Sequence, residues 1–244
     1  MATVSRRKNG ASHVYTELKH FLINYRFRPG TQLHPSDLAE QFKVSSTPVR
    51  EALHWLGGEH LLVSVPNRGF FSKILNVEEM TELSILTHVL LQYSIAVNSR
   101  EAHGGRFTET VDDGRFDKII DDASLQLSLL EELFEGIASL SANHCLVSTI
   151  KNLNDRTHYI RLLDLEEAGR RQETARQNRD LIEKIKVCDM SGAAGGLQQQ
   201  LQTNLARIPG LVKEGLARSY AAPDPLIFDA GQNGAGIRAA LRAH

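Results

Sequence analysis

Between about Val77 and Ser219 the chain carries a single proline, Pro209, and its apolar residues recur at helical spacing. Met80, Leu83, Leu86 and Leu90 are separated by steps of three and four, as are Leu125, Leu129, Leu133, Ile137 and Leu140. Further amphipathic stretches run over about 145–163, 168–187 and 193–217. Stripes of this period are buried only when helices pack on one another. About 140 residues must therefore form an all-α bundle. The strong turn signals lie ahead of it, at Pro29-Gly30 and Pro66-Asn67-Arg68-Gly69, so a smaller N-terminal unit is built differently. From Ala221 the chain is rich in Ala, Gly and Pro, the composition of a tail with a short helix near Gly236–Ala243.

Charge divides along the same line. The whole chain holds 28 Lys+Arg and 29 Asp+Glu, a net charge of −1 that by itself argues against a nucleic-acid partner. Residues 1–75, however, hold ten bases and five acids (+5), leaving 18 bases and 24 acids (−6) for the rest. A basic first third on an acidic remainder indicates two domains with different partners. A hydrophobic content of 41% excludes wholesale disorder, and the apolar runs are too short to span a bilayer. The opening MATVSRRKNGASH lacks the apolar core of a secretory signal. Cys145 and Cys188 form no CxxC, which argues against a disulfide framework or thiolate zinc site. These features predict a soluble, cytoplasmic protein with no membrane partner. No activated nucleophile, P-loop or paired acid and base stands in a recognisable setting, and Cys188 beside Asp189 has no base partner. The chain does not read as an enzyme.

The segment His13–Ser72 reads as three helices and a hairpin. The first helix, about His13–Asn24, places Val14, Leu18, Phe21 and Leu22 on one stripe. The second follows Leu33-His34, with Pro35 suited to a first turn, and carries Leu38, Ala39 and Phe42. A short turn leads to a third helix, capped by Ser46 or Thr47 and burying Val49, Ala52, Leu53 and Leu56, with Trp55 at the margin. Strands Leu61–Val65 and Gly69–Ser72 then flank Pro66-Asn67-Arg68. This is a winged helix-turn-helix. Its third helix presents Thr47 and Arg50 at the end whose amides favour phosphate. Arg68-Gly69 forms the wing tip, and Arg6-Arg7-Lys8 a flexible arm adding electrostatic affinity.

Several spaced elements of this segment agree with a known pattern: Pro29-Gly30, Leu38-Ala39-Glu40, Val44-Ser45, Thr47-Pro48-Val49-Arg50-Glu51-Ala52-Leu53 and Asn67-Arg68-Gly69. Over most of residues 14–72 the chain closely resembles the GntR family of bacterial transcriptional regulators. The resemblance implies DNA contacts at Ser36, Ser46, Thr47, Arg50, Arg68 and Gly69. Two of these depart from the family, which usually places arginines where Ser36 and Ser46 stand. A guanidinium pairing with guanine is worth roughly 1–3 kcal/mol of discrimination, so the operator is expected to differ from the family's usual one.

The helical region resembles the ligand-sensing domain of the FadR-like subgroup, termed FCD. The carrying segments are Leu130-Glu131-Glu132-Leu133-Phe134-Glu135 followed by Asn143, Gln177-Asn178-Arg179-Asp180-Leu181-Ile182, and Leu197-Gln198-Gln199-Gln200-Leu201. Many members of that subgroup hold a divalent metal with one Asp and three His. The four places are Glu131, Glu135, Asn178 and Gln200 here, with no histidine among them. The resemblance thus implies a polar pocket with the family metal lost and no cofactor. The helix arginine that often grips an effector carboxylate aligns with Thr87, beside His88, which puts the familiar organic-acid effector in doubt. His158 and Arg161 share a helix face and complete the candidate effector pocket of Thr87, Glu131, Glu135, His158, Arg161, Asn178 and Gln200. His144 and His158 are too far apart in sequence for a one-turn metal pair.

The chain is accordingly expected to be mostly α, with a basic arm (1–12), a winged helix-turn-helix (13–73), a linker (74–78), an all-helical effector-binding and dimerisation domain (79–219) and a tail (220–244). Its expected partners are a double-stranded DNA operator, a small-molecule effector and a second copy of itself. The alternative is a degenerate regulator acting mainly as an interaction or dimerisation module with weakened operator reading.

Overall fold

The computed structural model describes residues 2–97, 115 and 121–222. They are mostly helical, with eight helices and three short strands among the described residues. In chain order these are α1 (Ala2–Ile23), β1 (Gln32–Leu33), α2 (Pro35–Phe42), α3 (Ser46–Gly58), β2 (Leu62–Val65), β3 (Gly69–Ser72), α4 (Val77–Ala96), α5 (Ala123–Ser139), α6 (His144–Glu166), α7 (Ala168–Lys186) and α8 (Met190–Ala221). They divide into two compact units: Asn76–Lys213, and the described residues up to Leu75 together with those from Glu214. No described helix is long and apolar enough to cross a membrane.

In the first unit the apolar stripes meet in one core. Val14 and Leu18 of α1, Leu38 of α2, and Val49, Ala52, Leu53 and Leu56 of α3 are almost wholly buried there, and Phe70 of the wing closes it. Trp55 stands outside, exposed, with its ring edge-on to Tyr15 at 6.1 Å. The sheet order is β1-β3-β2, antiparallel throughout. Strand β1, pairing Gln32 with Phe71 and Leu33 with Phe70, was not expected; two residues carry too little pattern to announce a strand. Its partner at the other edge was expected, and β2 pairs Val65 with Gly69 across the turn 66–68. The first helix begins at Ala2 rather than near His13, so the backbone of the expected flexible arm continues α1. The side chains of Arg6, Arg7 and Lys8 lie outside the described residues.

Four helices of the described chain end in the same way, without glycine. After α1, α2, α3 and α7, the residues Tyr25, Lys43, His60 and Cys188 adopt φ of 49°, 54°, 60° and 60°. Each following amide then reaches back to a carbonyl of the last turn: Arg26 to Phe21, Val44 to Ala39, Leu61 to Leu56 and Asp189 to Lys184. This is a Schellman closure, and at Val44 and Leu61 it drives an apolar side chain into the core. A left-handed residue with a Cβ costs roughly 1–2 kcal/mol, so the burial that follows must offset that strain.

Helix α3 begins at Ser46, with Ser45 at the cap position and no side-chain cap bond. The expected cap by Ser46 or Thr47 is therefore not made, because both lie inside the first helical turn. Ser72 joins the Pro29-Gly30 turn to the sheet: its hydroxyl donates to Arg28 O at 2.6 Å and accepts from Thr31 N at 3.0 Å.

In the second unit, α5 packs on α6, α4 on both, and α7 on α6 and α5. Asparagine and aspartate begin three of these helices, Asn76, Asp122 and Asn143 each accepting a first-turn amide. The buried stripe of α4 is Met80, Leu83, Thr87, His88, Leu91, Ser94 and Ile95. Leu86 of the expected stripe is exposed and Leu90 half-buried. A helix buried on two sides holds several candidate stripes, and spacing alone selected the wrong continuation. Leu125 is likewise exposed, whereas Leu129, Leu133, Ile137 and Leu140 are buried. Pro209 lies within α8, which continues through it although proline can donate no backbone bond there.

The expected linker at 74–78 is shortened, since α4 begins at Val77. Of the expected tail, Tyr220 and Ala221 belong to α8. Residues beyond 222, including the expected helix near Gly236–Ala243, lie outside the described residues.

Two substitutions test this account. Ser72→Ala removes the part-buried hydroxyl bonds to Arg28 O and Thr31 N and is expected to lower the unfolding free energy by about 1 kcal/mol in urea titration; an unchanged midpoint would show that the clip contributes nothing. His60→Gly removes left-handed strain at an exposed position and is expected to raise stability by about 1 kcal/mol, read as a higher Tm.

Candidate nucleic-acid interface and internal cavity

The first unit sets out its candidate contact residues on exposed ends of elements. Ser46, Thr47 and Arg50 are exposed in the opening turns of α3, while Val49 and Ala52 of the same turns are buried. Helical spacing thus turns one face to the core and the other outward. Arg50 makes no hydrogen bond or ion pair with another described residue. Because Ser45 supplies no side-chain cap, the first-turn amides of α3 keep their donors open to an anion. Ser36, in the first turn of α2, donates its hydroxyl to Asp37 at 2.8 Å.

The wing tip is shaped by backbone sign. Asn67 and Gly69 adopt φ of 59° and 99°, and a side chain at 69 would be strained there. Gln32 Nε2 donates to Arg68 O at 2.7 Å, fixing the turn from β1. The Arg68 guanidinium lies 5.8 Å from the centre of the Phe71 ring, exposed and unpaired with any described acid.

The second unit contains a cavity of about 80 Å³ between α4, α5, α6, α7 and α8. Of the sequence-expected pocket residues, Thr87, Arg161, Asn178 and Gln200 line it. The other three do not. Glu131 accepts from His158 Nδ1 at 2.9 Å, and Glu135 pairs with Lys151 at 3.3 Å. The four places carried over from the family's metal ligands are therefore not assembled: two are engaged outside the cavity, and within it Gln200 Nε2 donates to Asn178 Oδ1 at 3.4 Å. Among the described residues no cluster of three or more His, Cys, Asp or Glu is placed to hold a metal ion.

The cavity wall is mixed. Leu91, Leu130, Phe134, Ile160, Leu197 and Leu201 supply apolar surface. Asp164 accepts from Arg170 Nε and Nη2 at 3.1 and 3.0 Å and also pairs with Arg207 Nε. Arg170 Nη2 extends the network to Asn204 Oδ1 at 3.1 Å. Arg161 donates to Asn154 Oδ1 at 2.8 Å, and its guanidinium sits 4.8 Å from the Phe134 ring centre. Burial pushes the Arg161 pKa down to about 10, against the opposing pull of the Glu131 charge. Thr87 spends its hydroxyl on Leu83 O at 2.8 Å. Two buried nitrogens on residues of this wall have no partner among the described residues: Asn178 Nδ2, on a side chain with no exposed surface, and His88 Nε2. Burial also pushes the His88 imidazole below its ordinary pKa, toward the neutral form.

Sequence reasoning did not place His88, Asp164, Arg170 or Asn204 at this wall. A signal existed in α7, where Arg170, Thr174 and Asn178 recur at steps of four, but three polar residues on one face ordinarily mark the solvent side. Only the packing of α8 over that face turns it inward.

Comparison with known proteins matches the first unit, over residues 11–71, to the family of bacterial regulatory proteins termed gntR. The Nta operon transcriptional regulator of Aminobacter aminovorans is 30% identical over 149 residues, covering 58% of this chain and 69% of the relative. The HTH-type transcriptional regulator YdhC of Bacillus subtilis is 23% identical over 211 residues, covering 82% and 92%. Among solved structures, a GntR transcriptional regulator from Rhodococcus sp. RHA1 aligns with a TM-score of 0.62 at 20% identity, covering 82% of this chain and 97% of that one. E. coli McbR/YncC aligns with a TM-score of 0.61, at the same identity and coverage. These structures share the order of an N-terminal winged helix and a helical C-terminal domain. The relatives are regulators rather than enzymes, and this chain is not an enzyme. The chain belongs to the GntR family of bacterial regulatory proteins and is a transcriptional regulator with a DNA-binding domain.

Proposed function

We propose that this regulator binds its operator as a homodimer and that a small molecule in the cavity of the second unit sets its operator affinity. The observation carrying the effector reading is the cavity itself, with buried, unpartnered nitrogens of His88 and Asn178 in its wall. The assignment of the helical unit to the FadR-like, FCD subgroup is part of the same proposal, as is a cavity that works without a metal. Glu131 and Glu135 being engaged with His158 and Lys151 supports the latter. Pairing of two copies is supported by Ile85, Leu86, Val89 and Tyr93, exposed apolar residues on α4. A dimer matches a palindromic operator, with half-sites one helical turn, about 34 Å, apart or a multiple of it.

At the DNA, Arg50, Thr47 and the open amides of α3 enter the major groove in this reading, and Arg68 and Gly69 approach the backbone or minor groove. Ser36 and Ser46 contact phosphate or base edges with shorter reach than arginine. Regulation is a population shift: the effector favours one arrangement of the helical unit, and operator affinity changes by its differential binding energy.

Titration of the protein against the promoter beside its own gene tests operator binding. Expected are saturable, sequence-dependent binding, a steep loss of affinity with salt, and at least a roughly tenfold weakening by Arg50→Ala. Binding without sequence preference or salt dependence would refute this reading and favour the interaction-module alternative. Elemental analysis of the purified protein is expected to find no stoichiometric zinc, nickel or manganese; finding one would overturn the metal-free cavity.

A further inference from the structure

We infer that the outer face of the wing holds the Arg68 guanidinium for a DNA phosphate, with Phe71 and Gln32 as its positioning residues, so that the wing grips the backbone and does not read base edges. This deepens the operator-binding reading above and rests on it.

The platform follows from the sheet register. Gln32 of β1 and Val63 of β2 both stand opposite Phe71 of β3. Residues directly opposite one another leave a sheet on the same face. Alternation along β3 sends Phe70 to the core and Phe71 outward. Val63 is exposed, and Gln32 and Phe71 are half-buried. The outer face therefore carries an amide, an aromatic ring and an aliphatic side chain in one row, with the ring in the middle.

Arg68 is attached to this row twice. Its carbonyl oxygen accepts from Gln32 Nε2 at 2.7 Å, and its guanidinium lies 5.8 Å from the Phe71 ring centre. A Cβ at Gly69 would stand 3.4 Å from Gln32 Nε2, so the amide packs directly against the glycine. Ordering a free arginine side chain on binding costs rotamer entropy. Here the ring and the amide order it before DNA arrives, and no described acid competes for its charge.

The direction of the side chain selects the phosphate. Phe71 lies on the strand three residues beyond Arg68, away from the tip. A guanidinium resting on that ring extends back along the sheet and not past the turn. The minor groove is about 6 Å wide, and a guanidinium stacked on a ring does not enter it without leaving the ring. A phosphate on the outside of the duplex is met in the stacked position, because the ring covers one face of the guanidinium and leaves its edge N–H donors free. The wing thus supplies affinity and register, and base reading falls to α3.

Titration of the intact protein against the promoter duplex and a scrambled duplex of the same composition, at several salt concentrations, tests this. Arg68→Ala is expected to weaken binding to both duplexes by the same factor and to reduce the slope of log K against log salt by about 0.9. Gln32→Ala and Phe71→Leu, checked for an unchanged Tm, should each weaken both by about two- to fivefold, the scale of an exposed cation–π contact. Phe71→Tyr, which keeps the ring, should bind as the unaltered protein does. In the Arg68→Ala background neither loss should recur, a non-additivity that altered stability alone does not produce. If Phe71→Leu fails to fold, Gln32→Ala carries the same cycle. Additive losses overturn the proposal. So does an Arg68→Ala effect confined to the promoter duplex, or one that changes the preference for A·T over G·C pairs, since either places Arg68 in the minor groove. Sequence-dependent binding that is weakened by Arg50→Ala and indifferent to Arg68→Ala defeats the wing inference alone. Absence of sequence-dependent binding in the unaltered protein defeats the operator reading and the wing inference together.

Discussion

The helical unit depends on the pairing of one carboxylate. Asp164 on α6 holds Arg170 at the start of α7 and Arg207 far along α8, so three helices meet at a single charged group. Removing one partner from such a buried cluster costs several kcal/mol, because the remaining charge loses its match. The pairing also explains why a cavity persists. Helix α8 is tied to its neighbours by polar bridges such as Arg207–Asp164 and Gln200–Asn178 as well as by leucines. Space is left between those bridges that apolar packing alone would have closed. A ligand that enters this space meets groups whose partners lie on several helices, the arrangement by which binding at one point biases the placement of whole elements.

The reading unit meets a comparable demand through its backbone. Its recognition helix is useful only if its exposed N-terminal face is held at a set angle. Lys43 before α3 and His60 after it adopt left-handed φ, and the closures they make set Val44 against the core and bury Leu61. Ser72 holds the Pro29-Gly30 turn against β3 and Gln32 holds the wing turn. With these contacts made, Thr47, Arg50 and Arg68 are presented with no side-chain hydrogen bond or ion pair to another described residue. Ser36 contrasts with them, its hydroxyl already bonded to Asp37.

Much of the first unit was legible in the sequence, because local signals there agree with one another. The stripes of α1 and α3, Pro35 at the start of α2 and the wing turn each mark a local event with one favoured outcome. What failed was what lacks a local signal. Strand β1 is two residues long, and the helix ends use Tyr, Lys, His and Cys where glycine would have marked them. In the second unit the existence of the helices was readable and their faces less so. Leu86 and Leu125 matched the period and proved exposed, while Thr87 and His88 turned inward. The four places carried over from the family's metal ligands divide in the same way: Asn178 and Gln200 lie in the cavity, whereas Glu131 and Glu135 turn to partners on α6.

By itself, the sequence determined the division into a basic reader and an acidic helical bundle, the helix-turn-helix with its wing, and the family. These are properties of spacing, turn chemistry and charge, written within a few residues of where they act. The tertiary structure decided which polar side chains share a cavity and which of them are already satisfied. Arg161 and Arg170 look alike in sequence, both arginines on polar helices. One is neutralised by Asp164, nearby in the chain but brought into contact only by the fold, and the other faces the cavity with a neutral partner. Pairing depends on distances between helices that no local pattern encodes, so which arginine meets a carboxylate emerged only with the packing.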